Sequence, residues 1–254
     1  MKRAKRATLT VLSVVVGLSA LGAVKTTRTP EVAAMHSIAV AREESAAGSV
    51  GRALFLPGPR DADDRDRAAI RRQLRRGEQG TYIAEILQQR DSSLARWPDR
   101  AERPLTVWIQ PLAAIDDWTE NYVDRVRDAF EEWDALNLPV GFVFLDDSAA
   151  AEIHVTWIDH FSEPISGRTK WARDDDWLIT DANIVLAVHH HQGEVLDEDA
   201  MKAMALHEIG HLLGLDHTQD NTSIMAPKVR VRDLSTADRA TIRLLYSLPP
   251  GPVR

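Results

Sequence analysis

The stretch HEIGHLLGLDH, His207–His217, constrains the fold more tightly than any other part of the chain. His207 and His211 are four residues apart, so on a helix their imidazoles stand one turn apart on one face, close enough to share a metal ion. His217 follows six residues later, and a straight helix would carry it too far along the axis. The chain must turn back, and Gly214 stands where a left-handed residue can end a helix. Glu208 neighbours the first imidazole but points partly aside, toward water at the ion rather than the ion itself. Three neutral nitrogens with one open position describe a catalytic zinc site, not a closed structural one. Such an ion polarises a carbonyl and acidifies water toward a pKa of ~7. Glu208 is then the candidate general base, taking the proton from water and passing it to a leaving amine. The competing reading is a core helix with satisfied histidines, but three ordered histidines around a glycine break have no packing rationale.

The composition agrees with such a site. The 254 residues include no cysteine, so disulfides and thiolate ligands are excluded and any metal is held by His, Asp or Glu. Lys2, Arg3, Lys5 and Arg6 precede an apolar stretch, Leu9–Val24, that ends in small residues. This is the pattern of a secretory signal peptide, with cleavage placed after Gly22, or of an uncleaved N-terminal membrane anchor. The expected localisation is therefore secreted, extracellular or periplasmic, or membrane-anchored without cleavage. Residues 1–22 carry those four positive charges and no negative one, so their removal takes the net charge from −7 to −11. A chain this acidic is a poor nucleic-acid binder.

Residues 25–50 read as a loose linker rich in Ala, Thr, Ser and Gly. Residues 60–77 read as a charged surface helix with a thin stripe of Ala69, Ile70 and Leu74, and residues 80–97 as a second helix with Ile83, Ile86 and Leu87 at helical spacing. After Pro98 the pattern changes. Strands are expected at Pro104–Gln110, Val140–Leu145, Ala151–Trp157, Gly167–Ala172 and Ala182–Val188, the last buried on both faces. Between the first two, Asp117 and Glu120 resemble a capping box for a helix carrying Tyr122, Val126, Ala129, Phe130 and Trp133 on one face. Asp197 is the expected N-cap of the histidine helix, and a final helix spans "STADRATIRLLYSL". Strand, helix, four strands, helix, loop, helix gives an α+β, or mixed α/β, domain of about 150 residues. The division expected is 1–24 signal or anchor, 25–100 an N-terminal segment, and 101–254 the catalytic domain.

HEIGHLLGLDH followed by "SIMAP" resembles the signature of the metzincin metallopeptidases, with Met225 at the place of their methionine turn. With "LSTADRATIRLLYSLP" added, matching at Leu234, Ser235, Asp238, Ile242, Leu245 and Tyr246, it most resembles the matrixin, matrix-metalloprotease-like branch. The resemblance spans roughly residues 100–250. It implies a twisted five-stranded sheet over the active-site helix, zinc on His207, His211 and His217, Glu208 as base, and Met225 as an apolar floor. It also implies a peptide substrate laid as an extra strand along the sheet edge, assigned to Gly167–Ala172.

The chain departs from the family in places. Without cysteine there is no cysteine switch, so a latency role for residues 25–100 would need another ligand, such as an aspartate of "DADDRD". The competing readings are a solvated charged helix and an N-terminal segment that packs on the catalytic domain. The loop between the third and fifth strands lacks the family's His/Asp pattern for a second zinc. His189, His190 and His191 could bind a further metal or form a wet loop, and Asp174, Asp175 and Asp176 could hold calcium or form a solvated turn. The loop "PKVRVRDL" would wall the substrate pocket. Inward Arg230 or Arg232 would favour acidic side chains, and inward Val229 and Val231 apolar ones. The function expected is a zinc-dependent metalloendopeptidase acting on protein or peptide substrates. The rivals are a non-catalytic zinc-binding recognition module and a zinc hydrolase of a non-peptide amide. Oligomeric state is not readable.

Overall fold

In the computed structural model of the chain, the described residues are 59–253, with side chains from residue 67 onward, and a two-residue strand β1, Leu12–Ser13. The mixed sheet is built from β3 (Leu105–Ile109), β4 (Phe142–Phe144), β5 (Ile153–Ile158), β6 (Gly167–Arg173) and β7 (Ile179–Ala187). Its order is β1-β6-β7-β5-β3-β4, with β3, β4, β5 and β7 parallel and β6 antiparallel to β7. The five strands and the α+β class are those expected from the sequence, and β6 is the edge of the five as assigned. β1 lies antiparallel against its outer side at Lys170 and Trp171.

Alternation decides which face is inside. Leu105, Val107 and Ile109 of β3 and Ile153, Val155 and Trp157 of β5 are buried, while their neighbours are only half-buried. Against that buried face lie α3 (Asn121–Asp134) and α4 (Glu198–Leu212). Tyr122, Val126, Ala129, Phe130 and Trp133 form the stripe read from the sequence, and all five are buried. The Trp133 indole donates to the Leu206 carbonyl at 3.0 Å, fastening α3 to α4. α4 is buried on nearly every side from Met201 to Leu212, as its apolar sequence requires. Its N-cap is Asp197, which accepts from the Ala200 N–H at 2.6 Å.

α1 (Pro59–Gly77) lays Ile70 and Leu74 against the core, and Gln73 donates to the Ser247 carbonyl at the end of α5 (Thr236–Ser247), at 3.0 Å. α2 is shorter than expected. It spans Ile83–Gln89 and stops because Asp91 and Ser92 take left-handed φ of 49° and 61°. The chain then enters β2 (Ser93–Leu94), which pairs with β8 (Gly251–Pro252). Tyr82, Ile83, Ile86, Leu94, Ala95 and Trp97 belong to the same core as the sheet and α4. The boundary drawn at residue 100 therefore does not coincide with a break in packing.

Two further local expectations fail. No capping box forms at Asp117, which has φ 61° and bonds His189 instead, and α3 begins after Glu120 with no side-chain cap. β7 is not buried on both faces throughout, since Asn183 is exposed and Val185 half-buried on the face away from α4. The expected signal or anchor at 1–24, apart from β1, and the linker at 25–50 lie outside the described residues. So do the side chains of "DADDRD". Among the described residues no helix is long and apolar enough to cross a membrane.

Candidate metal centre

α4 ends one residue after His211, at Leu212, and the way it ends creates the site. Gly214 adopts φ +103°, its N–H bonds the His211 carbonyl at 3.0 Å, and the Leu215 N–H bonds the Gly210 carbonyl at 2.9 Å. This pair of bonds is a Schellman closure with glycine at the left-handed position. The reversal carries His217 back against the helix, so that three imidazoles converge. The Nε2 atoms of His207, His211 and His217 are 3.1, 3.2 and 3.2 Å apart. A tetrahedral zinc with Zn–N bonds of about 2.0–2.1 Å sets its nitrogens about 3.3 Å apart, so the triangle has the size the ion needs. Among the described residues no other group of three or more His, Asp or Glu side chains clusters closely enough to hold a metal ion.

The remaining ring nitrogens fix the tautomers. His207 Nδ1 lies 2.7 Å from the Ile224 carbonyl and His211 Nδ1 lies 2.9 Å from the Leu215 carbonyl. A carbonyl only accepts, so each Nδ1 carries the proton and each Nε2 turns a lone pair to the centre. Burial, reinforced by the neighbouring His217, pushes the His207 pKa down to about 4. Burial also lowers His211 well below the usual range, and lowers His217. All three imidazoles are therefore neutral at neutral pH, the form in which they could hold a metal ion.

Glu208 sits on the same helix, 3% exposed, facing β6. Its carboxylate accepts from the Thr169 hydroxyl at 2.5 Å, and the same hydroxyl lies 2.9 Å from the Glu208 carbonyl. A β-carbon at Gly167 would overlap the Glu208 carboxylate, so glycine there is what lets the strand approach the acid. Burial pushes Glu208 up to about 7, while Thr169 and then Arg168 pull it down.

The methionine turn lies beneath. Met225 is fully buried, and its sulfur occupies the space a side chain at Gly210, between the two helical histidines, would fill. The sequence did not disclose what holds this turn. Buried Asp238 accepts from the Ser223 hydroxyl at 2.5 Å, the Ile224 N–H at 3.1 Å, the Tyr82 hydroxyl at 3.1 Å and the Ser235 N–H at 2.7 Å. The Ile224 carbonyl in turn receives the His207 Nδ1–H, so one carboxylate on α5 supports the first histidine of the trio. The available signal was Ser-x-x-Asp ahead of an apolar run, since Ser235 and Asp238 form the capping box of α5.

The three histidines and Glu208 line a cleft of about 480 Å³, bounded by Ser166–Thr169 of the β6 side and by Met204, Pro227, Lys228 and Val229. Val229 and Val231 are half-buried against the core, while Arg230 and Arg232 are exposed, Arg232 lying 3.5 Å from Asp197. All four line a smaller hollow of about 190 Å³ that continues past Met204.

The other candidate metal groups disperse. His189 is held between Asp159 at 2.7 Å and Asp117 at 3.1 Å, His190 Nδ1 meets Ser166 Oγ at 2.8 Å, and His191 is exposed. Asp174 uses its carboxylate inside the β6–β7 turn, accepting from the Asp176 and Leu178 N–H groups at 3.0 and 2.9 Å.

Comparison with known proteins agrees with this geometry. The chain is similar to Metalloendoproteinase 5-MMP of Arabidopsis thaliana, 29% identical over 61% of this chain and 47% of that protein. It is 31% identical to Metalloendoproteinase 1 of Glycine max, over 62% of this chain and 54% of that protein. It is 27% identical to Metalloendoproteinase 1-MMP of Arabidopsis thaliana, over 58% of this chain and 44% of that protein. The chain thus spans about half the length of the curated relatives it matches. The model of the peptidase family Matrixin matches residues 97–247, more than half of the chain and all of the site from β6 to the methionine turn. The converging imidazoles, the buried glutamate and the methionine turn all fall inside that match, and the chain belongs to the matrixin family of peptidases.

Proposed function

We propose that the protein is a zinc metalloendopeptidase that hydrolyses peptide bonds in proteins, exported from the cytoplasm by its basic and apolar N-terminus. The observation that carries this reading is the buried Glu208 carboxylate beside three Nε2 atoms that face one point, on the wall of an open cleft. A ligand trio alone would serve a recognition module, which has no use for a carboxylate held at 2.5 Å by a hydroxyl beside it.

His207, His211 and His217 would hold the zinc, which supplies Lewis acidity to the scissile carbonyl and to water. Glu208 accepts the proton from water and returns it to the amine nitrogen as the C–N bond breaks. Thr169 orients that carboxylate, and Met225 keeps the underside of the ligand helix apolar. The substrate backbone lies along β6 near Gly167, where an extended peptide can add as a strand. Its next side chain enters between Met204 and Val229. Val229 and Val231 are the half-buried members of the wall, so the pocket favours apolar side chains over acidic ones.

The test is digestion of a mixed peptide library by the zinc-loaded protein, with cut sites read by mass spectrometry. Cleavage with an apolar residue after the cut is expected. Cuts dominated by Lys or Arg after the bond would refute the pocket assignment. A zinc-loaded protein that cuts no peptide would shift the reading to a recognition module or a non-peptide amide.

A further inference from the structure

The third ligand sits on a loop, residues 214–219, that belongs to no helix or strand. Each of its six residues is bonded to a side chain of one short segment, Glu85 to Arg90, at α2. Arg90 donates from Nη1 to the Gly214 carbonyl at 2.9 Å and from Nη2 to the Leu215 carbonyl at 3.5 Å and Asp216 Oδ1 at 2.8 Å. Its Nε pairs with Asp216 Oδ2. Gln89 donates to the His217 carbonyl at 2.8 Å. The two Glu85 oxygens accept from the Thr218 hydroxyl at 3.0 Å and the Gln219 N–H at 2.8 Å.

This contact is not a surface accident. Arg90 and Asp216 are 7% and 5% exposed, and the guanidinium also covers the Trp171 ring of β6 at 5.1 Å. The backbone continues the bracket, because Ala95 lies against Gly214 and the Trp97 indole donates to the Leu212 carbonyl at 2.9 Å. Yet residues 85–90 lie before the segment matched by the family, which begins at residue 97. A histidine on an unsupported loop must be ordered when the metal binds, and that ordering lowers affinity. A loop already bonded at every residue has been ordered by folding.

We propose that α2 and its C-cap Arg90 form a built-in clamp on the third ligand, with Arg90 as the main positioning residue. Residues 82–97 are then a permanent part of the catalytic unit, and any maturation cut falls before Tyr82. The proposal rests on His217 being a zinc ligand.

The test uses the full chain and its zinc affinity, measured by competition with a chromogenic chelator. Far-UV circular dichroism of the metal-free proteins checks folding. Arg90→Lys keeps the charge but loses the planar fork. The double variant Glu85→Gln, Gln89→Ala alters only exposed or half-buried contacts, and decides the matter if Arg90→Lys does not fold. Loss of outer support for a ligand lowers metal affinity about 10–100-fold, and each folded variant is expected to fall in that range. Folded variants that bind zinc as tightly as wild type would overturn the clamp while leaving the metal site standing. Wild type that binds no zinc would overturn the site itself. Mapping the N-terminus of the active form gives a second check. A first residue at or before Tyr82 agrees with the clamp, and an active form starting beyond Tyr82 contradicts it.

Discussion

Gly214→Ala isolates the turn that brings His217 back to the helix. Two costs add. The φ of +103° is left-handed, and an L-residue there costs about 1–2 kcal/mol. The new β-carbon would also overlap the Ala95 carbonyl oxygen, a backbone atom that cannot rotate away, with Leu245 Cδ2 a further 3.3 Å contact. Overpacking of this kind costs about 1–3 kcal/mol more. The total is about 2–5 kcal/mol, or about 5–15 °C in Tm for a domain of this size. Gly80→Ala is the matched control. Its φ is +77°, but a β-carbon there meets nothing within 4 Å, so only the conformational cost of about 1–2 kcal/mol applies. Thermal unfolding of the two metal-free variants gives the comparison, and chelator competition gives their zinc affinity. Gly214→Ala is expected to unfold at the lower temperature and to bind zinc more weakly, while Gly80→Ala keeps wild-type affinity. Equal losses of Tm, with unchanged zinc affinity in Gly214→Ala, would refute the reasoning.

Two other outcomes follow from named contacts. Thr169→Val removes the hydroxyl at 2.5 Å from Glu208 at nearly constant volume, and a bond to a charged group is worth about 1.5–3 kcal/mol. Steady-state kinetics should show kcat at least about tenfold lower with KM and zinc content little changed and with Thr169→Ser restoring activity; an unaltered kcat would remove Thr169 from the mechanism. The hydrogen bond that His189 donates to Asp117, and then the one it donates to Asp159, hold His189 charged above its ordinary range against partial desolvation. A raised folded pKa gives stability that is complete below the unfolded value of about 6.5 and is lost as pH rises through the folded value. His189→Gln should therefore lower the Tm of the metal-free protein at about pH 6 and hardly at about pH 9, and a larger loss at the alkaline end would reverse the assignment.

The sequence disclosed the parts of the site that are local in the chain. His207, Glu208, His211, Gly214 and His217 lie within eleven residues, and helix geometry plus one glycine turn determine where they meet. The α3 stripe was legible for the same reason, because five buried positions repeat at helical spacing. What stayed hidden depends on partners far apart in sequence. Arg90 stands in a run, QQRDSS, that looks like solvated surface, and its carboxylate lies 126 positions away. Asp238 reads as a helix cap, which it is, but its hold on Ser223 and Ile224 comes only from folding. Periodicity carried the second helix through to Trp97, although two left-handed residues at Asp91 and Ser92 end it sooner. Local propensity does not anticipate that the next residues are needed as a strand against Gly251 and Pro252.

The central claim is that Glu208 acts chemically on a peptide bond at a zinc held by the three histidines. Its most direct test is cleavage of an unstructured protein by wild type and Glu208→Gln, with bound zinc quantified in both. The account predicts one zinc per chain in each protein, cleavage by wild type that stops on chelation and returns with zinc, and a rate about 10²–10⁴-fold lower in Glu208→Gln. A zinc-loaded Glu208→Gln protein that cuts at the wild-type rate would contradict it.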